Sequence, residues 1–245
     1  RSRYMGDPQF YDVPIKKIIS KKRANSLAKT INFEKATPPG TLNPDSLFHE
    51  GENTTHYSII DKHGNVVSNT YTLGYSFGSG VTIPGTGILM DNQMNNFAYQ
   101  YGDPEVMDRS ASIGNRFEPG KRPMSTMTPI IIFDENNELK LITGSPGGAL
   151  IPAAVLRLVT GVIDFNLNLG EATMLPRLHK DWPYKNLRLE KGFSKDTLQI
   201  LESYGHELEE SKTMGSTQSI LISSKGKEGF ADLRRPNAGV AIQID

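Results

Sequence analysis

Residues 54–72, "TTHYSIIDKHGNVVSNTYT", read as two β-strands that cannot lie far apart. "TTHYSIID" and "VVSNTYT" are rich in β-branched and aromatic residues, and His63-Gly64-Asn65 supplies the tight turn between them. If the loop is Lys62-His63-Gly64, with Gly64 in the left-handed conformation, Asp61 faces Asn65. Counting back along both strands then sets Thr54 opposite Thr72. A two-residue loop would set Thr55 there instead. In either register a second hydroxyl lies within a cross-strand neighbour's reach of the threonine pair.

Threonines facing each other across a ladder are an ordinary way to stabilise a sheet. The flanking segments point to chemistry as well. The stretch before the hairpin, "NFEKATPPGTLNPDSLFHEGEN" (32–53), has three prolines, two glycines and little periodicity, and reads as an exposed linker that tolerates a cut. A break between Asn53 and Thr54 would give Thr54 a free α-amine, a base with a pKa of roughly 7.7–8.0. A threonine hydroxyl beside its own amine is a nucleophile with a built-in base. Acyl transfer also needs donors for the developing oxyanion. "TGSPGGAL" (143–150) offers Gly147 and Gly148 where a strand turns into a helix, so their N–H groups sit at a helix N-terminus. A plain turn explains such a glycine pair taken alone; with Thr54 and Thr72 it completes a coherent set.

The rest of the chain reads as an α+β protein with helices packed outside its sheets. Ala24, Leu27, Ala28 and Ile31 line one face of a helix over 20–31 with Ser20 as its N-cap. A glycine-rich loop covers 74–87. Residues 129–143 form a second hairpin joined by Asp134–Glu138, and a helix follows at about 149–160. Ser194 caps a further helix that stops at Gly205, with Phe193 placed to staple to Leu198. "TQSILIS" and "GFADL" are the closing strands. There is no internal repeat.

Composition narrows the function. At 245 residues the chain can bury a sizeable core. Lys plus Arg and Asp plus Glu both total 27, which argues against nucleic acid or an anionic membrane as the main partner. Cysteine is absent, and the five histidines (His49, His56, His63, His179, His206) show no metal-ligand spacing, so neither thiolate chemistry nor a metal or other cofactor is expected. Glu50 and Glu52 read as a solvated loop rather than a catalytic pair. The longest apolar run, "ALIPAAVLRLV", is too short for a bilayer and contains Arg157. The chain opens on Arg1, which suggests a fragment or processed chain, so an upstream targeting segment could have been lost.

In order, "TTHYSIIDKHGNVVSNTYTLGYSFGSG", "GTGILMDNQMNNF", "GKRPMSTMTP", "TGSPGG" and "MGSTQS" resemble the small subunit of the γ-glutamyltranspeptidases, and "RSRYMGDPQFYDVP" resembles the end of that family's large subunit. The resemblance implies an N-terminal-nucleophile hydrolase with a four-layer αββα core, of which this chain is only part. It implies two segments: 1–53, the end of the large subunit with helix and linker, and 54–245, the small catalytic subunit. The precursor would cut itself before Thr54. Thr72 matches the threonine that contacts the nucleophile, and Gly147 and Gly148 match the oxyanion hole. Ser125 and Thr126 match two serines that hold the substrate's α-carboxylate, and Gln93 matches a glutamine near its α-amine. Two positions depart from the family: Asn96 replaces the usual Asp that pairs with the substrate ammonium, and Gly74 replaces an Asn that contacts it. The implied activity is glutathione hydrolase-like acyl transfer to water or to an amino-acid or peptide acceptor. The alternatives are an acylase acting on a glutaryl-like group, as in relatives resembling cephalosporin acylases, and a catalytically silent binding homologue. The family also implies an upstream large-subunit segment as partner and a periplasmic or secreted location.

Overall fold

In the computed structural model, residues 4–38, 54–97, 113–180 and 186–243 are described. Most of the expected linker, including Asn53, lies outside them.

The first hairpin forms as the loop chemistry requires. Strands β1 (Thr54–Ile60) and β2 (Val66–Thr72) pair antiparallel, with Thr54 opposite Thr72. Gly64 has φ 85°, and the Asp61 N–H donates to the Asn65 carbonyl at 3.0 Å, so the three-residue loop is the one adopted.

A four-stranded antiparallel sheet carries the core, in the order β3 (Ile130–Phe133), β4 (Leu139–Thr143), β8 (Gln218–Ser223), β9 (Gly226–Ala231). Strand alternation turns Leu141 and Leu221 to one face. There they pack with Leu158 and Val162 of α3 (Ile151–Ile163) and Leu169 and Ala172 of α4 (Leu169–Met174). Ile142 points to the opposite face yet is fully buried, and the β1–β2 hairpin is in contact with β4 and β8. Two side chains anchor it: Ser58 Oγ donates to the Gln218 carbonyl at 2.8 Å, and Ser68 Oγ to the Thr143 carbonyl at 2.9 Å. The local order is therefore helices, sheet, hairpin.

Three elements differ from the sequence reading. The early helix is α2 (Lys21–Ala28), capped by the Ser20 side chain as expected, but its turns beyond Ala28 are not α-helical and its apolar stripe is exposed, Leu27 by 49% and Ile31 by 59%. The helix after "SPGG" begins as a 3-10 turn, Gly148–Leu150, and runs to Ile163 with Pro152 in its first turn. A three-stranded sheet of β5 (Leu178–His179), β6 (Asn186–Leu189) and β7 (Glu207–Glu210) was not anticipated. Its parallel pair β6–β7 is joined through α5 (Lys195–Ser203), the Ser194-capped helix that ends before Gly205 at φ 89°.

Candidate active site

The hairpin closes its open end with the two threonines. Thr54 and Thr72 are 5% and 6% exposed, and the Thr54 Oγ1 hydroxyl donates to Thr72 Oγ1 at 3.1 Å. Thr72 Oγ1 also accepts the Gly74 N–H at 2.9 Å, so the acceptor of the Thr54 hydroxyl is itself fixed by backbone. Arg235 holds the other end of the residue, its Nη1 donating to the Thr54 carbonyl at 2.8 Å. Thr54 is thus oriented through both its hydroxyl and its carbonyl.

His56 lies two residues along the same strand. Its ring is bonded to Thr70 Oγ1 at 2.9 Å and to Ser58 Oγ at 3.2 Å. It presses so closely on Gly144 that a Cβ there would lie 2.2 Å from the ring. Burial pushes the imidazole down to about 4, which keeps it neutral at pH 7. The chain leading into the "PGG" turn is therefore laid on the hairpin that carries Thr54.

Gly147 and Gly148 are buried at φ 134° and 57°, conformations that favour glycine. A Cβ on Gly147 would meet the Gly215 Cα at 3.1 Å, so the "MGSTQS" segment backs this turn directly. The Ser216 N–H donates to Ser145 Oγ at 2.9 Å and adds a second tie. Among the described residues neither glycine N–H has a hydrogen-bond partner, which leaves both available as donors to an anion.

The remaining candidates flank these groups. Gln93 Nε2 reaches the Thr72 carbonyl at 3.4 Å. Asn96, 6% exposed, ends the 3-10 turn Gln93–Asn96. Gly74 has φ 85° and lies beside Asn92. Thr126 is buried and donates from Oγ1 to the Gly148 carbonyl at 2.9 Å, joining its segment to the glycine turn, while Ser125 Oγ accepts the Met127 N–H at 3.0 Å.

A family model described as Gamma-glutamyltranspeptidase matches residues 1–242. The chain belongs to that family. It is 43% identical over 228 residues to the glutathione hydrolase proenzyme of Escherichia coli (strain K12), covering 93% of this chain and 39% of that protein. A chain of a mutant Helicobacter pylori γ-glutamyltranspeptidase superposes with a TM-score of 0.66 at 38% identity, over 74% of this chain and 100% of that one. The cephalosporin acylase from Bacillus halodurans gives 0.81 at 27% identity, over 100% of this chain and 42% of that one. The fold is accordingly the α+β fold of the N-terminal-nucleophile hydrolases. The chain spans about two fifths of the length of the curated relatives it matches.

Several groups around the site were not singled out in the sequence. Arg235 is 181 positions from Thr54, and only the tertiary structure brings them together. A buried ion cluster holds the segment behind the glycine turn. Arg177 pairs with Asp232 at 2.7 Å and donates to the Met214 carbonyl at 2.6 Å. Arg234 pairs with Glu190 at 2.7 Å, and a Glu190 carboxylate oxygen accepts the Met214 N–H. Buried charges paired and hydrogen-bonded in this way hold a segment rigid. No helix among the described residues is long and apolar enough to cross a membrane.

Proposed function

We propose that residues 54–245 form the nucleophile-bearing part of a γ-glutamyl amide hydrolase or transferase, released when Thr54 cleaves the bond after Asn53. The observation that carries this reading is the buried Thr54–Thr72 hydroxyl pair at 3.1 Å. Thr54 Oγ1 attacks the Asn53 carbonyl, and the C–N bond breaks so that an ester replaces the amide and the Thr54 nitrogen leaves as a protonated amine. Water then hydrolyses the ester to an Asn53 carboxylate and the free Thr54 hydroxyl. That amine then takes the hydroxyl proton when Oγ1 attacks a substrate amide. The Gly147 and Gly148 N–H groups stabilise the resulting oxyanion. Support for the boundary comes from the H. pylori chain, whose full length matches a share of this chain close to that of residues 54–245. The exposed stripe of α2 is suited to packing against an upstream large-subunit segment. Intact-mass analysis of the whole precursor should show two pieces divided at Asn53/Thr54, and Thr54→Ala should abolish both cleavage and turnover. A precursor that stays whole while acting on substrate refutes the mechanism.

Asn96 and Gly74 favour a second reading of the donor. An amide and a hydrogen stand where a substrate ammonium needs a counter-charge, so a glutaryl amide without the amine is processed at least as well as its γ-glutamyl counterpart. Asn96→Asp restores the charge and should move the kcat/KM ratio towards γ-glutamyl, by an interaction of about 1.5–3 kcal/mol. A wild-type preference of a hundredfold for γ-glutamyl refutes this second reading.

A further inference from the structure

The groups assigned to the donor's head lie on two separate stretches: Gln93 and Asn96 on the 3-10 turn, Ser125 and Thr126 after "GKRPM". One side chain spans them. Asn115 is fully buried, its Nδ2 donates to the Asn96 carbonyl at 2.7 Å, and its Oδ1 accepts the Met124 N–H at 2.8 Å. A single planar amide thus ties the residue of the ammonium side to the residue just before Ser125.

Asn115 is braced from the N-terminal segment. Gly114 lies against Gly6, where a Cβ on Gly6 would be 2.4 Å from the Gly114 carbonyl oxygen, and against the Tyr11 ring, 2.4 Å from any Cβ on Gly114. Asp7, buried, accepts Arg122 Nε at 3.0 Å, Nη2 at 2.9 Å and the Arg122 backbone N–H at 2.9 Å. These bonds to Arg122 hold the Asp7 carboxyl well below the usual carboxylate range. The fork fixes Arg122 three residues before Ser125.

We propose that Asn115, braced by the Asp7–Arg122 pair, is a positioning residue for donor specificity: it sets the spacing between the two halves of the head-group site. This rests on the assignment of Asn96, Ser125 and Thr126 to the donor head. Asn115 touches neither Thr54 nor the glycine turn through any hydrogen bond among the described residues, so self-cleavage, which needs no donor head, does not depend on it.

The test uses the full precursor and the γ-glutamyl and glutaryl amides. Asn115→Asp keeps the acceptor for Met124 but places an oxygen against the Asn96 carbonyl. KM for the better of the two amides should rise about tenfold, as expected when one buried hydrogen bond is replaced by a repulsion. The kcat value and the rate of cleavage at Asn53–Thr54 should change by less than about twofold. Arg122→Lys, which keeps the charge but loses the fork, should raise the same KM by a smaller factor and serves as the test if Asn115→Asp does not accumulate. An unchanged KM in an active variant overturns the inference, and so does a parallel loss of cleavage and turnover, which marks a structural role. A wild-type precursor that cleaves itself but acts on neither amide overturns the donor reading and this inference with it.

Discussion

Replacing Thr72 by Val separates a catalytic hydroxyl from a sheet residue. Valine keeps the branched shape but removes an oxygen that accepts two hydrogen bonds, from Thr54 Oγ1 at 3.1 Å and from the Gly74 N–H at 2.9 Å. Both donors are then left without that acceptor at a site that is 6% exposed. An unsatisfied buried donor costs about 1–3 kcal/mol, so the variant should lose on the order of 2 kcal/mol of stability. For a chain of this size that lowers Tm by several degrees, at roughly 2–4 °C per kcal/mol. Thr72→Ser keeps the oxygen and loses one methyl, about 0.8 kcal/mol. The two variants should part more widely in catalysis. Without its acceptor the Thr54 hydroxyl leaves the orientation needed for attack, and kcat/KM per folded molecule should fall at least tenfold, about 1.4 kcal/mol of barrier. Serine should retain most of it. Melting curves with active-site titration on processed enzyme give both quantities. If valine lowers Tm as expected while kcat/KM stays within about twofold of the serine variant, Thr72 is a ladder residue and its catalytic assignment fails.

Gly144→Ala should be more damaging than its conservative appearance suggests. The added methyl would lie 2.2 Å from the His56 ring, so the hairpin or the "PGG" turn must move, and both self-cleavage and turnover should fall together in mass and rate assays. His56 should also give stability a pH dependence. It titrates near 6.5 in the unfolded chain and at about 4 in the folded one, so between these values the unfolded chain binds the extra proton. Its contribution is complete above about pH 6.5 and is lost as pH falls towards 4, by up to about 3 kcal/mol. Denaturant unfolding across that window should show the slope, and His56→Gln should reduce it; an unchanged slope refutes the assignment.

The hairpin was legible because its information is local. Loop length and the need for a left-handed Gly64 determine which threonine faces Thr72, and the structure adopts that register. The Ser20 and Ser194 caps were legible for the same reason: each cap accepts from a backbone N–H three residues on. Asn115, Arg235 and Asp7 were not, because the contacts that matter to the site, to Met124, Thr54 and Arg122, reach 9 to 181 positions along the chain. The short strands β5–β7 were missed since two to four residues carry too little alternation to read. The apolar stripe of α2 is legible as a pattern, but the pattern alone does not say what covers it.

The Asp7–Arg122 contact closes a loop of 115 residues, and the bond expected to break lies inside that loop. In the uncut chain the two ions are tethered, and bringing them together costs an entropy that grows only slowly with loop length. If the bond before Thr54 opens as proposed, the tether is gone and the ions belong to different chains. Their association then follows mass action, with occupancy set by protein concentration rather than by chain connectivity. Maturation would in this way turn an internal brace into a dissociable one, and dilution would become a variable to which the precursor is indifferent and the processed enzyme is not.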